Sequence, residues 1–385
     1  MTALDMNLPS THRPRRDRAD REPHAGMPPL DTSGPALSHF EFWPGYLFYA
    51  PVGLLWAFLA AKYRSATLAT IANPLFPHGG LMGESKADVL DTIAGDARSF
   101  VAPFVTHIKT GHDDSELDFQ RAKKIMMQNG LSYPIVAKPD LGMRGIGVRP
   151  VRNDSDLRGY LDAFPHGNKL LLQKMIPFDG EAGVFYVRLP GEDKGQVLSL
   201  TLKYFPHVTG DGKSTLEELI HADPRAGRIP HIYLERHKDS LQMVLPTGQP
   251  FRLAFAGSHS RGTIFKNGND FITHEMTNAF DRIAKEIPEF YFGRFDVRFE
   301  DIEDLQNGHG FSILEVNGAG GEATHIWDSK TRLIDAYRSL FRQHSLLFKI
   351  GDRNRARGFR PTKAWDLMRA ILKESSLTKA YPSTQ

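Results

Sequence analysis

Two strand-like segments near the end of the chain place acid and amide groups among large apolar residues. Residues 292–299 read FGRFDVRF, and residues 311–322 read FSILEVNGAGGE. Glu315 and Asn317 are two residues apart, so on a strand both side chains point to one face, where Asp296 of a neighbouring strand can join them. A buried carboxylate is costly unless a cation accompanies it. Because Mg²⁺ takes few protein oxygens and completes its shell with phosphate and water, the pattern predicts a Mg²⁺ site.

An arginine accompanies this predicted metal site. Arg294 stands two residues before Asp296 and points to the same face of the strand. Its guanidinium suits negative charge that develops on a transferred phosphoryl group. A structural ion pair between Arg294 and Asp296 or Glu315 is the alternative interpretation, and the residues by themselves leave both open.

Three lysines lie in separate apolar segments that resemble strands: Lys138, Lys174 and Lys203. Any one of them fits a lysine whose stem lies along apolar surface while its ammonium reaches water. Together they indicate a polyphosphate, because such a ligand needs several separate cations. Glu181 follows a glycine and fits either an acceptor for a ribose hydroxyl or a solvent-exposed carboxylate.

A glycine-rich turn follows the first lysine and contains Gly142, Gly145 and Gly147. Glycines allow backbone amides to approach phosphate oxygens without obstruction by side chains. The turn is not a Walker loop, because no Gly-Lys-Ser/Thr closes it, and not a Rossmann fingerprint, because a strand rather than a helix is predicted after it. A turn without a ligand is the alternative interpretation.

The ordered set of motifs resembles the ATP-grasp superfamily, specifically carboxylate–amine ligases such as D-alanine–D-alanine ligase and the ligase part of cyanophycin synthetase. The motifs cover about residues 100 to 330 and read YPIVAKPDLGMRGIGV, LLQKMI…GE, LKY, VTGDGKSTLEELI, GRFDV and LEVNGAGG. The resemblance implies a fold in which two α+β subdomains clasp ATP.

The resemblance also implies a role for each motif residue. Lys138 and Lys174 would hold the α- and β-phosphates, and residues 142–147 would form the lid loop. The segment from Gln173 to Ile176 would meet adenine, Glu181 would bind ribose, and Lys203 would reach the distal phosphates. Mg²⁺, or Mn²⁺ as an alternative, would bind Asp296, Glu315 and Asn317, and Arg294 would steady the transferring phosphoryl group and the acyl phosphate.

The sequence departs from these ligases in three places. Gln173 stands where many members have Glu, and the lid DLGMRGIG lacks serine, whereas dipeptide ligases have a serine-rich loop. The region before residue 100 is short and does not match the substrate domain of a dipeptide ligase. D-alanine is therefore not carried over as the substrate.

The resulting hypothesis is an enzyme, an ATP-dependent ligase that joins a carboxylate to an amine through an acyl phosphate and releases ADP and phosphate. The substrates would be small-molecule or lipid-linked acids and amines. An ATP-grasp-type kinase and a non-catalytic, membrane-associated nucleotide-binding protein are the alternatives. Hydroxylamine separates them, since a hydroxamate forms only from an acyl phosphate.

Four further residues are candidates for the substrates. Arg261, in the motif SHSRG, could pair bidentately with a carboxylate, or be an arginine of a surface loop. His259 of the same motif is a second candidate. Glu322 and His325 would line the acceptor side, with His325 as a base on the amine or as a packed core histidine.

Composition limits the classes of protein that remain. The chain has 385 residues, a formal net charge of +3 and no cysteine. The near-zero charge gives no argument for a nucleic-acid partner. Without cysteine, disulfides, thiolate zinc sites and a cysteine nucleophile are excluded. A cytoplasmic protein, with contact to the inner face of the membrane as an added option, fits these features.

The elements that must position these residues indicate a mixed α+β protein, because predicted hairpins alternate with helices. We predict an unstructured basic tail over residues 1–38, an apolar region over 39–99, the ATP-grasp domain over 100–350 and a basic, loop-like tail over 351–385. No internal repeat is evident.

The apolar region contains 19 residues without a charge, from Trp43 to Ala61. Its length approaches that of a membrane span, but prolines and glycines interrupt it. An interfacial membrane anchor and a helix buried between domains or in a homodimer are the leading interpretations, and a true span comes last.

Overall fold

The computed structural model describes residues 23–110 and 115–384. Its helices are α1 Gly45–Phe48, α2 Ala50–Tyr63, α3 Lys86–Thr92, α4 Ser115–Gln128, α5 Asp154–Ala163, α6 Leu216–Ala222, α7 Pro230–Leu234, α8 His274–Glu286, α9 Ile302–Gln306, α10 Leu333–Ala356 and α11 Ala364–Lys379. Its strands are β1 Phe104–Ile108, β2 Ile135–Pro139, β3 Arg149–Val151, β4 Lys169–Lys174, β5 Gly180–Val187, β6 Gln196–Tyr204, β7 His207–Thr209, β8 Pro250–Arg252, β9 Ile264–Asn267, β10 Phe292–Phe299 and β11 Phe311–Asn317. The predicted α+β class is confirmed.

The first sheet is antiparallel, with strand order β1-β4-β2-β3. Helices α4 and α5 cover one face of it, and Phe119, Leu157 and Leu170 lie in the core between them. Strands β2 and β3 are joined by the predicted glycine-rich turn. This sheet therefore carries Lys138 and Gln173 toward the second sheet, where both donate to the Leu314 carbonyl.

The second sheet is also antiparallel, with strand order β11-β10-β5-β6-β9. Strand β10 alternates between two environments, as a period of two requires. Phe295, Val297 and Phe299 pack with α8 in one core, whereas Phe292 packs with α10 in another. The remaining residues on the Phe292 face are Arg294, Asp296 and Arg298, and they line a cavity instead of a core.

A small subdomain adjoins the second sheet. The two-stranded sheet β7-β8 packs with α6 and α7 around Leu216, Ile220 and Tyr233. Thr215 begins α6 with a capping box, in which its hydroxyl accepts from the Glu218 amide and the Glu218 carboxylate accepts from the Thr215 amide.

The apolar N-terminal region packs on the protein along one side only. Phe40, Phe48 and Leu59 are buried, and α2 lies against α10. The opposite side of α1 and α2 is exposed, with Tyr46 84%, Leu54 75% and Phe58 62% accessible. Within the described residues, no helix is long and apolar enough to cross a membrane.

Both ends of the chain differ from the prediction. The arginines of the predicted basic tail, at positions 13, 15, 16, 18 and 21, lie outside the described residues. Residues 23–38 are not detached: His24 Nε2 lies 2.8 Å from the Phe205 carbonyl, and Tyr204 donates to the Pro28 carbonyl. The loop-like prediction for residues 351–385 is wrong for residues 351–356, which end α10, and for residues 364–379, which form α11. Large apolar residues of α11, such as Trp365 and Leu372, are exposed and do not form a stripe that faces the core.

Candidate active site

A cavity of about 730 Å³ is lined by residues of both large sheets and of the N-terminal region. It contains most of the residues predicted from the sequence. The predicted nucleotide residues in its walls are Lys138, Gly142, Gly145, Gln173, Lys174, Ile176, Glu181 and Lys203. The cavity is also lined by the predicted metal, catalytic and substrate residues Arg294, Asp296, Glu315, Asn317, Glu322 and His259.

The predicted metal residues meet because β10 and β11 pair in register. Asp296 lies opposite Glu315, and Arg294 lies opposite Asn317. Asn317 donates its amide to Asp296 Oδ2 at 3.1 Å. Among the described residues, no three His, Asp or Glu side chains form a metal cluster, so a cation here would rest on two carboxylates, an amide and ligands from outside the protein.

Asp296 is buried and is neutralised by two cations. Its Oδ1 accepts from Lys203 Nζ and Arg294 Nε, both at 2.9 Å, and its Oδ2 accepts from Arg294 Nη2. Burial opposes ionisation, but Arg294 and Lys203 hold the pKa of the Asp296 carboxyl well below its ordinary value. The structure therefore contains the ion pair between Arg294 and Asp296, which was the alternative interpretation of the sequence.

Lys138 is buried on β2 and donates to Gln173 Oε1 and to the Leu314 carbonyl, both at 2.9 Å. Burial lowers the pKa of Lys138 to about 8, although Glu315 and Asp296 work in the opposite direction. The Gln173 side chain is thus engaged with the lysine of the neighbouring strand. Lys174, at the end of β4, is exposed and borders the cavity.

Glu181 lies on β5 between two cations. Its Oε1 accepts from Lys203 at 3.3 Å, and its Oε2 accepts from Arg298 Nε at 3.4 Å. Arg298 also donates to the carbonyl of Ile176 at 3.0 Å. Sequence reasoning assigned no role to Arg298, yet its position two residues after Asp296 on an alternating strand was the signal that it shares this face.

The glycine-rich turn needs the conformations that glycine allows. The φ angles of Gly142, Gly145 and Gly147 are 130°, 68° and 74°, and Arg144 also has a positive φ of 56°. Lys86 of α3 donates to the Gly142 carbonyl and lies 3.7 Å from Glu315 Oε1. One lysine therefore connects the turn with a predicted metal ligand.

Residues from the C-terminus hold the same turn from outside. Thr384 Oγ1 accepts from the Gly147 amide and donates to the Gly145 carbonyl. Tyr381 stacks on Phe164 at 5.4 Å and lies close to Gly142 and Gly147. No sequence signal pointed to this contact, since it joins segments far apart in the chain.

Glu84 precedes α3 and lies between the N-terminal region and β11. Its Oε2 accepts from the Gly318 amide at 2.9 Å, whereas its Oε1 is buried without a hydrogen-bond partner among the described residues. Burial, with the nearby Glu315, raises the pKa of Glu84 to about 8. Glu84 is thus a buried carboxyl with a raised pKa beside the predicted metal residues.

Glu322 connects the charged part of the cavity to an aromatic part. Its carboxylate accepts from the Tyr49 hydroxyl at 2.8 Å and from Trp327 Nε1 at 3.0 Å, and its carbonyl accepts from Arg294 Nη1. His259 stacks on Trp327 with ring centroids 4.4 Å apart. The structure thus brings Glu322 and His259 to one end of the cavity.

Three predicted residues do not line the cavity: Gly147, Arg261 and His325. Arg261 donates to the Arg144 carbonyl in the glycine-rich turn at 3.3 Å, so it contacts a wall of the cavity without lining the cavity itself. His325 lies beside Ser339 of α10, with 3.3 Å between its Nε2 and the Ser339 hydroxyl. Burial lowers the pKa of His325 to about 4. His325 is therefore in the environment of a packed histidine, which was one of the two interpretations of the sequence.

A scan of the sequence against known protein families finds no match. Cyanophycin synthetase of Synechocystis sp. is 28% identical over an alignment of 218 residues, and the match covers 51% of this chain and 24% of that protein. The chain therefore spans about a quarter of the length of this curated relative.

Solved structures of several ligases are also similar. D-alanine–D-alanine ligase from Bacillus anthracis is 12% identical, with a TM-score of 0.39, over 71% of this chain and 68% of that chain. VanG D-Ala:D-Ser ligase from Enterococcus faecalis is 14% identical, with a TM-score of 0.40, over 71% and 62%. Bifunctional glutathione synthetase from Pasteurella multocida is 16% identical, with a TM-score of 0.30, over 69% and 38%. Both protein types named in the sequence-based resemblance are among these similar proteins.

Proposed function

We propose that this chain is an ATP-grasp enzyme that joins a carboxylate to an amine at the expense of ATP. The observation that carries the proposal is the pairing of Asp296 and Glu315 on adjacent strands, next to the buried Lys203. Such a group of buried charges is costly to keep without a function. The ordered motifs and the similarity to cyanophycin synthetase support the same activity.

The proposed nucleotide site uses both large sheets. Lys138 and Lys174 hold the α- and β-phosphates, and Lys203 reaches the distal phosphates. Glu181 accepts from the ribose, and the segment from Gln173 to Ile176 borders adenine. The glycine-rich turn covers the phosphates, since its glycines have no side chains to obstruct an approach of the backbone to phosphate oxygens.

The donor set of the proposed metal site fits a hard divalent cation, because carboxylate and amide oxygens are the ligands of Mg²⁺. Asp296, Glu315 and Asn317 would hold it, with Mn²⁺ as the alternative ion. When bound, the cation neutralises charge on the phosphates of ATP.

The proposed reaction has two steps, in which the protein positions and neutralises but forms no covalent bond. A carboxylate oxygen of the first substrate attacks the γ-phosphorus, the bond to the β–γ bridging oxygen breaks, and ADP leaves. The amine nitrogen then attacks the acyl carbon, phosphate leaves, and the nitrogen loses a proton. Arg294, fixed by Asp296 and by the Glu322 carbonyl, stabilises the charge that develops on the transferred group.

The proposed partners are the two small or lipid-linked substrates and a membrane surface. The exposed apolar side of α1 and α2, formed by Tyr46, Leu47, Leu54 and Phe58, is the surface proposed to contact lipid. Trp and Tyr residues around it and the basic Lys62 and Arg64 at its end are typical of a membrane interface. A homodimer through the same surface is the alternative.

The decisive experiment pairs a double variant with a trapping reaction. Asp296→Asn with Glu315→Gln is expected to reduce ATP-dependent phosphate release by at least about 10³-fold, since the charge on the phosphates would no longer be balanced, with an unchanged circular dichroism spectrum. Hydroxylamine added to the wild-type protein with ATP and an acid substrate is expected to give a hydroxamate. Retained turnover in the double variant would refute the metal assignment, and phosphate transfer without hydroxamate would favour a kinase.

A further inference from the structure

One end of the cavity has walls of aromatic rings, and we call it the aromatic chamber. It is formed by Trp43, Tyr49, Trp56, His259, Trp327 and His344, all of which border the cavity. His259 stacks on Trp327 at 4.4 Å, and Trp56 meets His344 edge-on at 5.8 Å. Three separate parts of the chain supply these rings: the N-terminal region, the loop before β9, and the segment from residue 327 into α10.

Four of the six rings have a polar atom bonded within the protein, whereas Trp43 Nε1 and the His259 nitrogens make no such bond among the described residues. Trp56 Nε1 donates to the Ala66 carbonyl, Trp327 Nε1 donates to Glu322, and Tyr49 donates to the same carboxylate. His344 Nδ1 lies 2.8 Å from the Leu340 carbonyl. A ligand in the chamber would therefore meet mainly carbon surface, because these donors have partners.

The buried charges at this end of the cavity are compensated, whereas the exposed Arg144, near Tyr49 and His259, has no ion-pair partner among the described residues. Burial lowers the pKa of His259 to about 3 and also lowers the pKa of His344, so both rings are neutral near pH 7. Glu41 is paired with Arg225, and Glu322 is held by its two donors. The chamber thus favours an apolar group over a charged one.

The chamber adjoins the proposed reaction centre. The Glu322 backbone carbonyl accepts from Arg294, which also binds Asp296, while the Glu322 side chain bonds to two chamber residues. A single residue therefore separates the chamber from the group that would stabilise the transferring phosphate.

We propose that the aromatic chamber binds a bulky aromatic side group of one of the two substrates, the carboxylate or the amine. The proposal rests on the proposed ligase function and narrows its substrates to molecules with a ring near the reacting group. Aromatic rings fit, because they stack on neutral aromatic walls and exclude water from them. Removing the ring from such a substrate is expected to weaken binding by about 10- to 100-fold.

The test compares matched pairs of small molecules on the whole protein in the presence of ADP and Mg²⁺. The three pairs are phenylalanine with glycine, 2-phenylethylamine with ethylamine, and 3-phenylpropionate with propionate. Calorimetry or ligand-observed NMR measures the binding of each compound. The phenyl member of at least one pair is expected to bind at least about tenfold more tightly. Equal binding within every pair, or no binding of any phenyl member, would overturn the proposal.

Variants then locate the binding. Trp43→Ala is expected to remove the preference for the phenyl member, and Trp43→Phe is expected to keep most of it. His344→Ala on α10 is an independent second variant and is also expected to remove the preference. Trp365→Ala is the matched control, since Trp365 is 65% exposed on α11 and does not border the cavity. A preference that survives both Trp43→Ala and His344→Ala would refute the chamber as the site.

ADP affinity, measured on the same samples, separates this inference from the proposed function. If the wild-type protein binds ADP but shows no preference within any pair, the chamber proposal fails alone. If it binds neither ADP nor ATP, the ligase proposal fails.

Discussion

The polar residues of the cavity form one connected set of charges. Asp296 touches Lys203 and Arg294, Lys203 touches Glu181, and Glu181 touches Arg298. Each buried charge is stabilised mainly by its neighbours, so the removal of one leaves another without compensation. If a nucleotide and a cation bind beside these residues, their charges must be balanced by each other or by the side chains of this set.

Lys138 gives a prediction on pH dependence. Its pKa is lowered to about 8 by burial, so in the free protein it loses its proton above that pH. ADP affinity is therefore expected to be constant from pH 6.5 to 7.5 and to fall by up to about tenfold per pH unit above 8. In Lys138→Arg, whose side chain stays charged, the fall should be absent. Titrations with ADP at several pH values measure both, and flat wild-type affinity up to pH 9.5 would contradict the prediction.

The lowered pKa of Lys138 also makes the free energy of unfolding depend on pH. In the unfolded chain a lysine titrates near its ordinary value, so between about pH 8 and 10.4 the unfolded state binds more protons than the folded state. The Lys138 contribution to the free energy of unfolding therefore rises with pH across that window. A bound polyphosphate should raise the pKa of Lys138 toward its ordinary value and so weaken this dependence.

At the scale of elements, α10 packs closely against the backbone at Leu68, and the contact is made at Gly351. A Cβ atom there would lie 2.5 Å from the Leu68 carbonyl oxygen, whereas a Cβ at Gly53 in α2 would meet nothing within 4 Å. Gly351→Ala is expected to lower the free energy of unfolding by about 1–3 kcal/mol. Gly53→Ala should raise it by about 1 kcal/mol, because alanine is the better helix former. Urea denaturation compares the two, and equal effects would contradict this account of the packing.

A second prediction at this scale concerns the C-terminal residues on the glycine-rich turn. Deletion of residues 381–385 removes the Tyr381 stack and both Thr384 hydrogen bonds. The turn should then open more often, so trypsin is expected to cleave after Arg144 at least about fivefold faster, and the KM for ATP should rise. Cleavage after Lys194, in the exposed β5–β6 connection, is the internal control. An unchanged rate at Arg144 would show that the C-terminal contacts do not restrain the turn.

At the scale of the whole molecule, the N-terminal region has two roles. Its inner side supplies Phe40, Phe48 and Leu59 to the core, and its outer side is the proposed membrane surface. Deletion of residues 1–64 would therefore damage the core as well as the surface. Point substitutions on the outer side are the cleaner test of the membrane proposal.

The membrane prediction uses two matched double variants. Leu54→Ser with Phe58→Ser removes apolar area from the outer side of α2, and Leu372→Ser with Trp365→Ser removes comparable exposed area from α11. The wild-type protein is expected to float with anionic liposomes. The α2 variant should bind them at least about tenfold more weakly, because burial of each such side chain contributes about 1.5–3 kcal/mol. Equal flotation of both variants would end the proposal.

Sequence patterns predicted the strands of the site better than the ends of the chain. The alternation in FGRFDVRF correctly placed Arg294 and Asp296 on one face and left Phe295 for the core. In contrast, α11 was missed, and residues 23–38 were predicted to be detached although they contact the second sheet. The large apolar residues of α11 are mostly exposed and form no stripe that faces a core, and residues 23–38 have no apolar periodicity, so the structure of both depends on the surfaces against which they pack.

The sequence by itself determined which residues share a face, because the period of a strand is a local property of the backbone. It also determined the chemical types at the site: three lysines, two acids, an amide and an arginine. Only the tertiary structure decided that Tyr49 meets Glu322 across 273 residues, that Arg261 contacts the turn and that the C-terminus holds the turn. Such contacts depend on how all the layers pack together, and no periodicity within a single segment encodes that arrangement.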